Sequence, residues 1–230
     1  MFIPFFDPTF FLLIPAIIMA FWAQGRVKNA YKKYSQIANG AGLSGAQVAR
    51  KILDRFGLND VEVHPTKGVL SDHYDPAKRA VFLSVDNYQN GSIAGLAVAA
   101  HEVGHAIQHS EEYSPLRWRS ALVMPVQLGS WMAFPLVLIG MFMASPAMID
   151  IGIILFSAVV VFHLVTLPVE FDASKRAIQI LSTDGYISTQ EVDGAKKVLN
   201  AAAWTYVAAA TMAIINLLRL VLLRGMIGDD

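Results

Sequence analysis

The sequence predicts a mainly α-helical, multi-pass membrane protein with four transmembrane helices and a smaller α+β subdomain outside the bilayer. Three observations support this fold class. Of the 230 residues, 55% are hydrophobic and only 16% are charged, and the mean hydropathy of +0.47 is too high for an ordinary soluble domain. Four apolar stretches are long enough to cross a bilayer, and one region between them changes from helical to strand-like periodicity.

Each of the four apolar stretches reaches the roughly 20 residues that a transmembrane helix needs. The first lacks a basic n-region and a small-x-small cleavage site, so we interpret it as a retained anchor rather than a signal peptide. Four such stretches in 230 residues are too many to be buried core helices. The predicted spans are residues 2–22, 121–144, 147–167 and 201–223.

Lysine and arginine residues predict the orientation in the cell membrane, because basic loops remain in the cytoplasm. All but two of the 18 basic residues lie in segments 24–120 and 168–200. We therefore expect these two segments to be cytoplasmic, the N-terminus to be outside, and residues 1–230 to form a single membrane-integrated domain. The two exceptions, Arg219 and Arg224, flank the far end of the last span and are expected to snorkel to the interface.

Segment 24–120 contains most of the residues outside the predicted spans. A helix starts at Ser44, where Gln47 three residues later completes a capping-box pattern. Farther along, three short segments rich in β-branched and aromatic residues predict a small meander or hairpin sheet before the next helix. His64 and His73 in these segments are expected to be surface histidines. The three predicted strands are 61–65, 68–74 and 80–85.

The helix predicted over 92–108 is rich in Ala, free of Pro, and carries His-Glu-Val-Gly-His at 101–105. His101 and His105 are at i and i+4, so they share one face and can hold one Zn²⁺, with Glu102 beside the open coordination position. Zinc lowers the pKa of its water to about 7, and a nearby carboxylate can accept that proton. The pattern alone also occurs by chance, but these polar groups would be costly to bury in so apolar a helix without partners.

A catalytic zinc site needs a third protein ligand, and the chain has no Cys, so the candidates are His and carboxylate residues. His109 is nearest, but it lies about 12 Å along the helix axis from His101. Glu111 and Glu112 follow the expected helix end and have polar flanks. Glu170 is favoured for two reasons. The hairpin formed by the second and third spans returns it to the cytoplasmic side, and an acid at the end of a span is costly unless it is paired.

Three motifs together resemble those of the YugP-type membrane neutral zinc metallopeptidases, and the resemblance extends through nearly the whole chain, including the order of the spans. They are Gly-Val-Leu-Ser-Asp-His-Tyr-Asp-Pro at 68–76, Val-Ala-Ala-His-Glu-Val-Gly-His-Ala-Ile-Gln at 98–108 and Pro-Val-Glu-Phe-Asp-Ala-Ser-Lys-Arg-Ala at 168–177.

This resemblance implies a Zn²⁺ site with His101, His105 and Glu170 as ligands and Glu102 as general base. The more distant HtpX-type membrane peptidases have Glu-x-x-x-Asp at the third ligand, whereas the last position is Ser174 here. A carboxylate that would orient a ligand histidine is therefore absent at that point, and we expect another group to orient it.

The sequence therefore predicts a zinc-dependent membrane endopeptidase that hydrolyses peptide bonds of protein or peptide substrates at the cytoplasmic membrane surface. A net charge of +0 gives no indication of a nucleic-acid partner, and the sequence leaves the oligomeric state open. It does not identify the group that stabilises the oxyanion; His73, His109 and Arg176 are the candidates.

Two other functions are weighed against this one. The first is a non-catalytic membrane scaffold that keeps a structural metal site. The second is an ion transporter, suggested by Asp150, His163 and Asn216 in the spans, although transport would require more polar groups in register. His163 would share a face with Glu170 on an unbroken helix, but Pro168 is expected to interrupt that helix.

The predicted orientation has a direct test. Single-cysteine variants at Lys78 and Lys196 should be labelled only from the cytoplasm, and one at Pro146 only from outside, because basic segments remain in the cytoplasm. Labelling of position 78 from outside would invert the predicted topology and move the site to the other face of the membrane.

Overall fold

Helices make up most of residues 8–228, the part of the chain that the computed structural model describes. The helices are a 3-10 helix at Pro8–Leu13 followed by α1 Ile14–Tyr34, α2 Gly45–Arg55, α3 Val85–Gln89, α4 Ile93–Ser110, α5 Ser114–Phe142, α6 Pro146–Thr183 and α7 Thr189–Gly228. The strands are β1 Glu62–Thr66, β2 His73–Asp75 and β3 Ala80–Ser84.

Four helical segments within residues 8–228 are long and apolar enough to cross a membrane, in agreement with the number predicted from sequence. Residues 2–7 of the first predicted span lie outside the described residues. The four segments are Thr9–Tyr34, Ser114–Phe142, Pro146–Thr183 and Thr189–Met226.

The third long helix does not stop at Pro168, contrary to the expectation from sequence. α6 is continuous from Pro146 to Thr183, with Pro168 inside it. A proline removes a single helical N–H donor, and the hydrogen bonds of the turns on either side are sufficient to continue the helix. Glu170 therefore lies on the same helix as the third apolar stretch.

The chain divides into two units, each formed by segments that are distant in sequence. One, the apolar unit, contains the described residues up to Ala23, Arg117–Leu167 and the described residues from Thr205 onward; the other, the mixed unit, contains Gln24–Leu116 and Pro168–Trp204.

An ion pair joins α6 and α7 in the apolar unit. The Arg224 guanidinium donates from Nε to Oδ1 of Asp150 at 3.0 Å and from an Nη atom to Oδ2 at 3.3 Å. Asp150 was one of the polar residues that raised the transporter alternative, and Arg224 was expected only to snorkel. Their bidentate contact gives both charges a structural role between two long helices.

Helix α4 is at the centre of the mixed unit. Fourteen of its 18 residues are buried, and the core around it includes residues of α2, β3, the last part of α6 and the first part of α7. The Ser92 side chain caps α4 by accepting a hydrogen bond from the Gly95 N–H at 3.0 Å. A helix buried on nearly all sides has no solvent to satisfy its polar side chains, so each needs a partner from a neighbouring element.

Helix α2 packs against α4, and its N-terminus has the capping box predicted from sequence. Ser44 accepts from the Gln47 N–H, and the Gln47 side chain accepts from the Ser44 N–H, which completes the capping box. Ile52 and Leu53 are fully buried in the core. The chain leaves the helix at Gly57, whose φ of +71° suits a residue without Cβ.

The three short strands form a mixed sheet in the order β1-β3-β2, and the meander proposed from sequence is wrong. β2 and β3 do form the antiparallel hairpin that was the alternative, with the Asp75 side chain accepting from two backbone N–H groups of the turn. β1, however, pairs in parallel with β3. β3 takes the central position because it is the most apolar and most buried of the three strands.

α4 and α6 approach each other closely at Gly104. A Cβ atom on Gly104 would lie 2.9 Å from the carbonyl oxygen of Ala173 and 3.3 Å from its Cα. The absence of a side chain at position 104 therefore sets the separation of the two helices.

Gly104→Ala should lower the stability of the protein by about 1–3 kcal/mol, because the added methyl group meets backbone that cannot move without separating the helices. Gly25→Ala is the matched control: this glycine is inside α1 and has no heavy atom within 4 Å of an added Cβ. That variant should be neutral or up to about 1 kcal/mol more stable. Thermal unfolding in detergent compares them, and equal midpoints would contradict the close-contact explanation.

Candidate metal centre

Three potential metal ligands from α4 and α6 converge inside the mixed unit. Oε2 of Glu170 lies 3.3 Å from Nε2 of His101 and 3.6 Å from Nε2 of His105. One ligand atom from each residue lies within 4.8 Å of the others, and within residues 8–228 this is the one group of three or more such residues with that geometry. Glu170 is buried, with only 2% of its side chain exposed.

The spacing of these atoms fits a tetrahedral ion. Ligand atoms about 2.0–2.1 Å from a tetrahedral Zn²⁺ are roughly 3.3 Å from one another. The two distances from Glu170 to the histidine nitrogens, 3.3 and 3.6 Å, are close to that value. Two neutral imidazoles and one carboxylate also form a donor set that zinc uses in catalytic sites, where water takes the fourth position.

The geometry of the two helices explains how the three groups meet. His101 and His105 are one turn apart on α4, and their rings are perpendicular, with centroids 4.7 Å apart and an interplanar angle of 84°. Glu170 lies one turn before Ala173, the residue that Gly104 contacts. Close contact at Gly104 therefore brings the Glu170 carboxylate within reach of both rings.

The second nitrogen of each imidazole also has a partner in the mixed unit. Nδ1 of His101 is 3.1 Å from the Ser174 hydroxyl, and Nδ1 of His105 is 3.0 Å from Oε1 of Gln108. From sequence, another group was expected to replace the acid at position 174. In the structure Ser174 itself contacts the ring, since its hydroxyl oxygen can accept an N–H bond as a carboxylate does.

Glu102 is buried next to the two histidines, with 8% of its surface exposed. Burial raises the pKa of Glu102, and the Glu170 and Asp72 carboxylates act in the same direction, while His101 and His105 oppose the shift. A carboxylate with a raised pKa is a stronger base than an exposed one, and it is therefore better suited to accept a proton near neutral pH.

The other histidines considered from sequence have different partners. Nδ1 of His109 is 2.8 Å from the Tyr74 hydroxyl. His64 contacts Glu62 at 2.7 Å, and His73 contacts the Ser71 carbonyl at 2.9 Å. None of these three belongs to the group of converging ligands.

The structure also shows the partners of Glu111, one of the acids after α4, and of Arg176, one of the oxyanion candidates. Glu111 accepts from Nη1 of Arg176 at 2.7 Å, and Asp172 accepts from Nε of Arg176 at 2.6 Å. Glu111 and Glu112 are likewise outside the converging group. Arg176 is held by two carboxylates, so its guanidinium is committed to ion pairs rather than directed to a substrate.

Gln108 is the residue at this site that sequence reasoning missed. It is fully buried and contacts both His105 and α6. A signal was present in the sequence: a polar side chain three residues after His105, on a helix with almost no exposed face, needs partners of its own.

The comparison with known proteins agrees with the family expected from the three motifs. Residues 9–225 match the model of a family described as "Putative neutral zinc metallopeptidase". The chain is 50% identical over 213 residues to "Putative membrane protease YugP" of Bacillus subtilis (strain 168). These aligned residues make up 93% of this chain and 95% of the relative. No solved structure matches the chain.

The purified protein should contain about one Zn²⁺ per chain, and His101→Ala or His105→Ala should abolish binding. Glu170→Ala should weaken zinc binding by more than about 100-fold, beyond the loss typical of a residue that only supports a ligand. His109→Ala, the matched control from the same helix, should leave affinity nearly unchanged. Metal analysis and chelator competition measure both quantities.

Full zinc occupancy in both histidine variants would remove the metal assignment. A larger loss of affinity in His109→Ala than in Glu170→Ala would show that the third ligand is His109.

Proposed function

The chain belongs to the family described as "Putative neutral zinc metallopeptidase", and on this premise we propose that it is a zinc-dependent membrane endopeptidase. Its substrates are proteins or peptides, and hydrolysis takes place at the cytoplasmic surface of the membrane. The observation that carries the proposal is the convergence of His101, His105 and Glu170 at tetrahedral spacing, with a buried carboxylate beside them.

Each residue of the site has a distinct task. His101, His105 and Glu170 hold the zinc ion, which when bound supplies a Lewis acid that polarises the scissile carbonyl and acidifies water. Glu102 accepts a proton from the attacking water and delivers it to the nitrogen of the leaving amine. Its buried position beside His101 supports this role, because a carboxylate removed from bulk water is a stronger base than an exposed one.

The sheet offers a place for an extended peptide. β2 is an edge strand, and Tyr74 within it contacts His109, one turn of α4 beyond His105. A peptide that adds to β2 as a further strand would gain main-chain hydrogen bonds independent of its sequence. This mode suits an endopeptidase, which must hold the chain on both sides of the bond that it cleaves.

The proposed cytoplasmic location rests on the distribution of charge. Segments 24–120 and 168–200 contain nearly all the basic residues, and His101, Glu102 and Glu170 lie within them. The apolar stretches on either side anchor these segments to the bilayer. We therefore propose that residues 1–230 act as one membrane-integrated peptidase domain.

Glu102→Gln separates catalysis from metal binding. The substitution keeps the shape of the side chain but removes the base, so the variant should bind zinc like the parent and lose about 10²–10⁴-fold in peptidase activity. Asp193→Asn, which removes an acid from an exposed position on α7, is the control and should retain activity. Hydrolysis of a protein substrate in detergent or nanodiscs provides the measurement.

Unchanged turnover in Glu102→Gln would exclude this residue from the mechanism. A parent protein that binds zinc but cleaves nothing would favour a scaffold with a structural metal site. If the parent is active, comparison of membrane proteomes from cells with the parent and with Glu102→Gln identifies its substrates, as peptides present only with the parent.

A further inference from the structure

Gln108 lies at the junction of α4 and α6 with no exposed surface. Its amide makes three hydrogen bonds. Nε2 donates to the Val169 carbonyl and to Oδ2 of Asp172, each at 2.8 Å, and Oε1 lies 3.0 Å from Nδ1 of His105 as an acceptor. A buried amide with this many partners is held in one orientation, because rotation would break all three bonds.

The chemistry of the partners determines which end of the amide faces the histidine. The Val169 carbonyl can only accept a hydrogen bond, and Oδ2 of Asp172 is already an acceptor, since it accepts from Nε of Arg176. The end of Gln108 that contacts both must therefore be the NH₂ group. Its carbonyl oxygen is left to face His105, and since that oxygen can only accept, His105 must carry a proton on Nδ1.

This proton determines the form of His105 that is presented to the metal. A neutral imidazole with its proton on Nδ1 has its lone pair on Nε2, the atom that faces Glu170. We propose that Gln108 is a positioning residue, which selects the tautomer and ring orientation of His105 needed for zinc binding. The inference rests on the proposed zinc peptidase function and adds a residue that acts through a ligand.

Two ion pairs of Arg176 fix the position of Asp172, which accepts from the NH₂ group of Gln108. Arg176 donates to Oδ2 of Asp172 at 2.6 Å and to Glu111 at 2.7 Å. Asp172 is thereby fixed on α6 with its acceptor directed at Gln108. Arg176, Asp172 and Gln108 are thus hydrogen-bonded in series, from a partly exposed ion pair to His105.

The contact at the other histidine is less restrictive. The Ser174 hydroxyl beside His101 can either donate or accept, so it is compatible with both tautomers of that ring. Only Gln108 combines an acceptor toward its histidine with an orientation fixed by two further acceptors. The selection of the tautomer therefore depends on position 108.

Two substitutions at position 108 distinguish positioning from simple packing. Gln108→Met is similar in size but removes the acceptor, and it should lower zinc affinity by about 10–100-fold. Gln108→Glu retains an oxygen that can accept from Nδ1 of His105, so it should lose less zinc affinity than Gln108→Met. Gln179→Met, on an exposed part of α6, is the control and should leave affinity unchanged.

Thermal unfolding of the metal-free variants gives the readout that separates the two roles. Gln108→Glu buries a second carboxylate beside Asp172, so it should be the less stable variant while retaining the higher zinc affinity. If Gln108→Met fails to fold, Gln108→Asn serves instead: its amide is one methylene too short to reach Nδ1, and the same loss of affinity is expected.

The inference is overturned if Gln108→Met, or Gln108→Asn in its place, binds zinc as the parent does. It is also overturned if zinc affinity follows thermal stability, with Gln108→Glu losing more affinity than Gln108→Met. Either result is compatible with a parent protein that binds zinc and cleaves peptides, and in that case the proposed function stands. A parent without zinc binding or activity would instead contradict the proposed function itself.

Discussion

The contact between the backbones of α4 and α6 at Gly104 and Ala173 is the constraint on which the site depends. Its closeness, with an added Cβ only 2.9 Å from a carbonyl oxygen, leaves no room for a side chain at position 104. At a wider separation the carboxylate of Glu170 could not reach both Nε2 atoms, and the Gln108 amide could not reach the Val169 carbonyl. Five polar contacts between these helices, including those of Ser174 with His101 and of Gln108 with Asp172, thus depend on one small residue.

The same closeness has an energetic consequence. His105 and Gln108 are buried on α4, where an unpaired polar group costs about 1–3 kcal/mol. α6 supplies the partners of His105 and Gln108, through Glu170, Asp172 and a backbone carbonyl. These partners offset the cost of burial, and this explains why His105 and Gln108 can persist within an apolar core.

Continuity of α6 places the site close in sequence to the third apolar stretch. Glu170 is three residues beyond Leu167, the last residue of α6 in the apolar unit, and no break at Pro168 intervenes. A carboxylate on a continuous helix is held more rigidly than one on a loop, which suits a ligand whose position must be accurate to a fraction of an ångström. A helix that is long and apolar enough to cross a membrane therefore also carries one of the three converging ligands.

The sequence by itself determined the mainly helical class, the four apolar helices, the capping box at Ser44 and the family, because these depend on local composition, periodicity and motif spacing. It also favoured Glu170 over His109, since helix geometry limits how far one helix can reach around an ion. The parallel pairing of β1 with β3, the passage of α6 through Pro168, and the contacts of Ser174 and Gln108 were decided only in the tertiary structure. Each depends on which distant segments pack together, and hydrogen-bond partners 61 to 73 residues apart leave no periodic trace in the sequence.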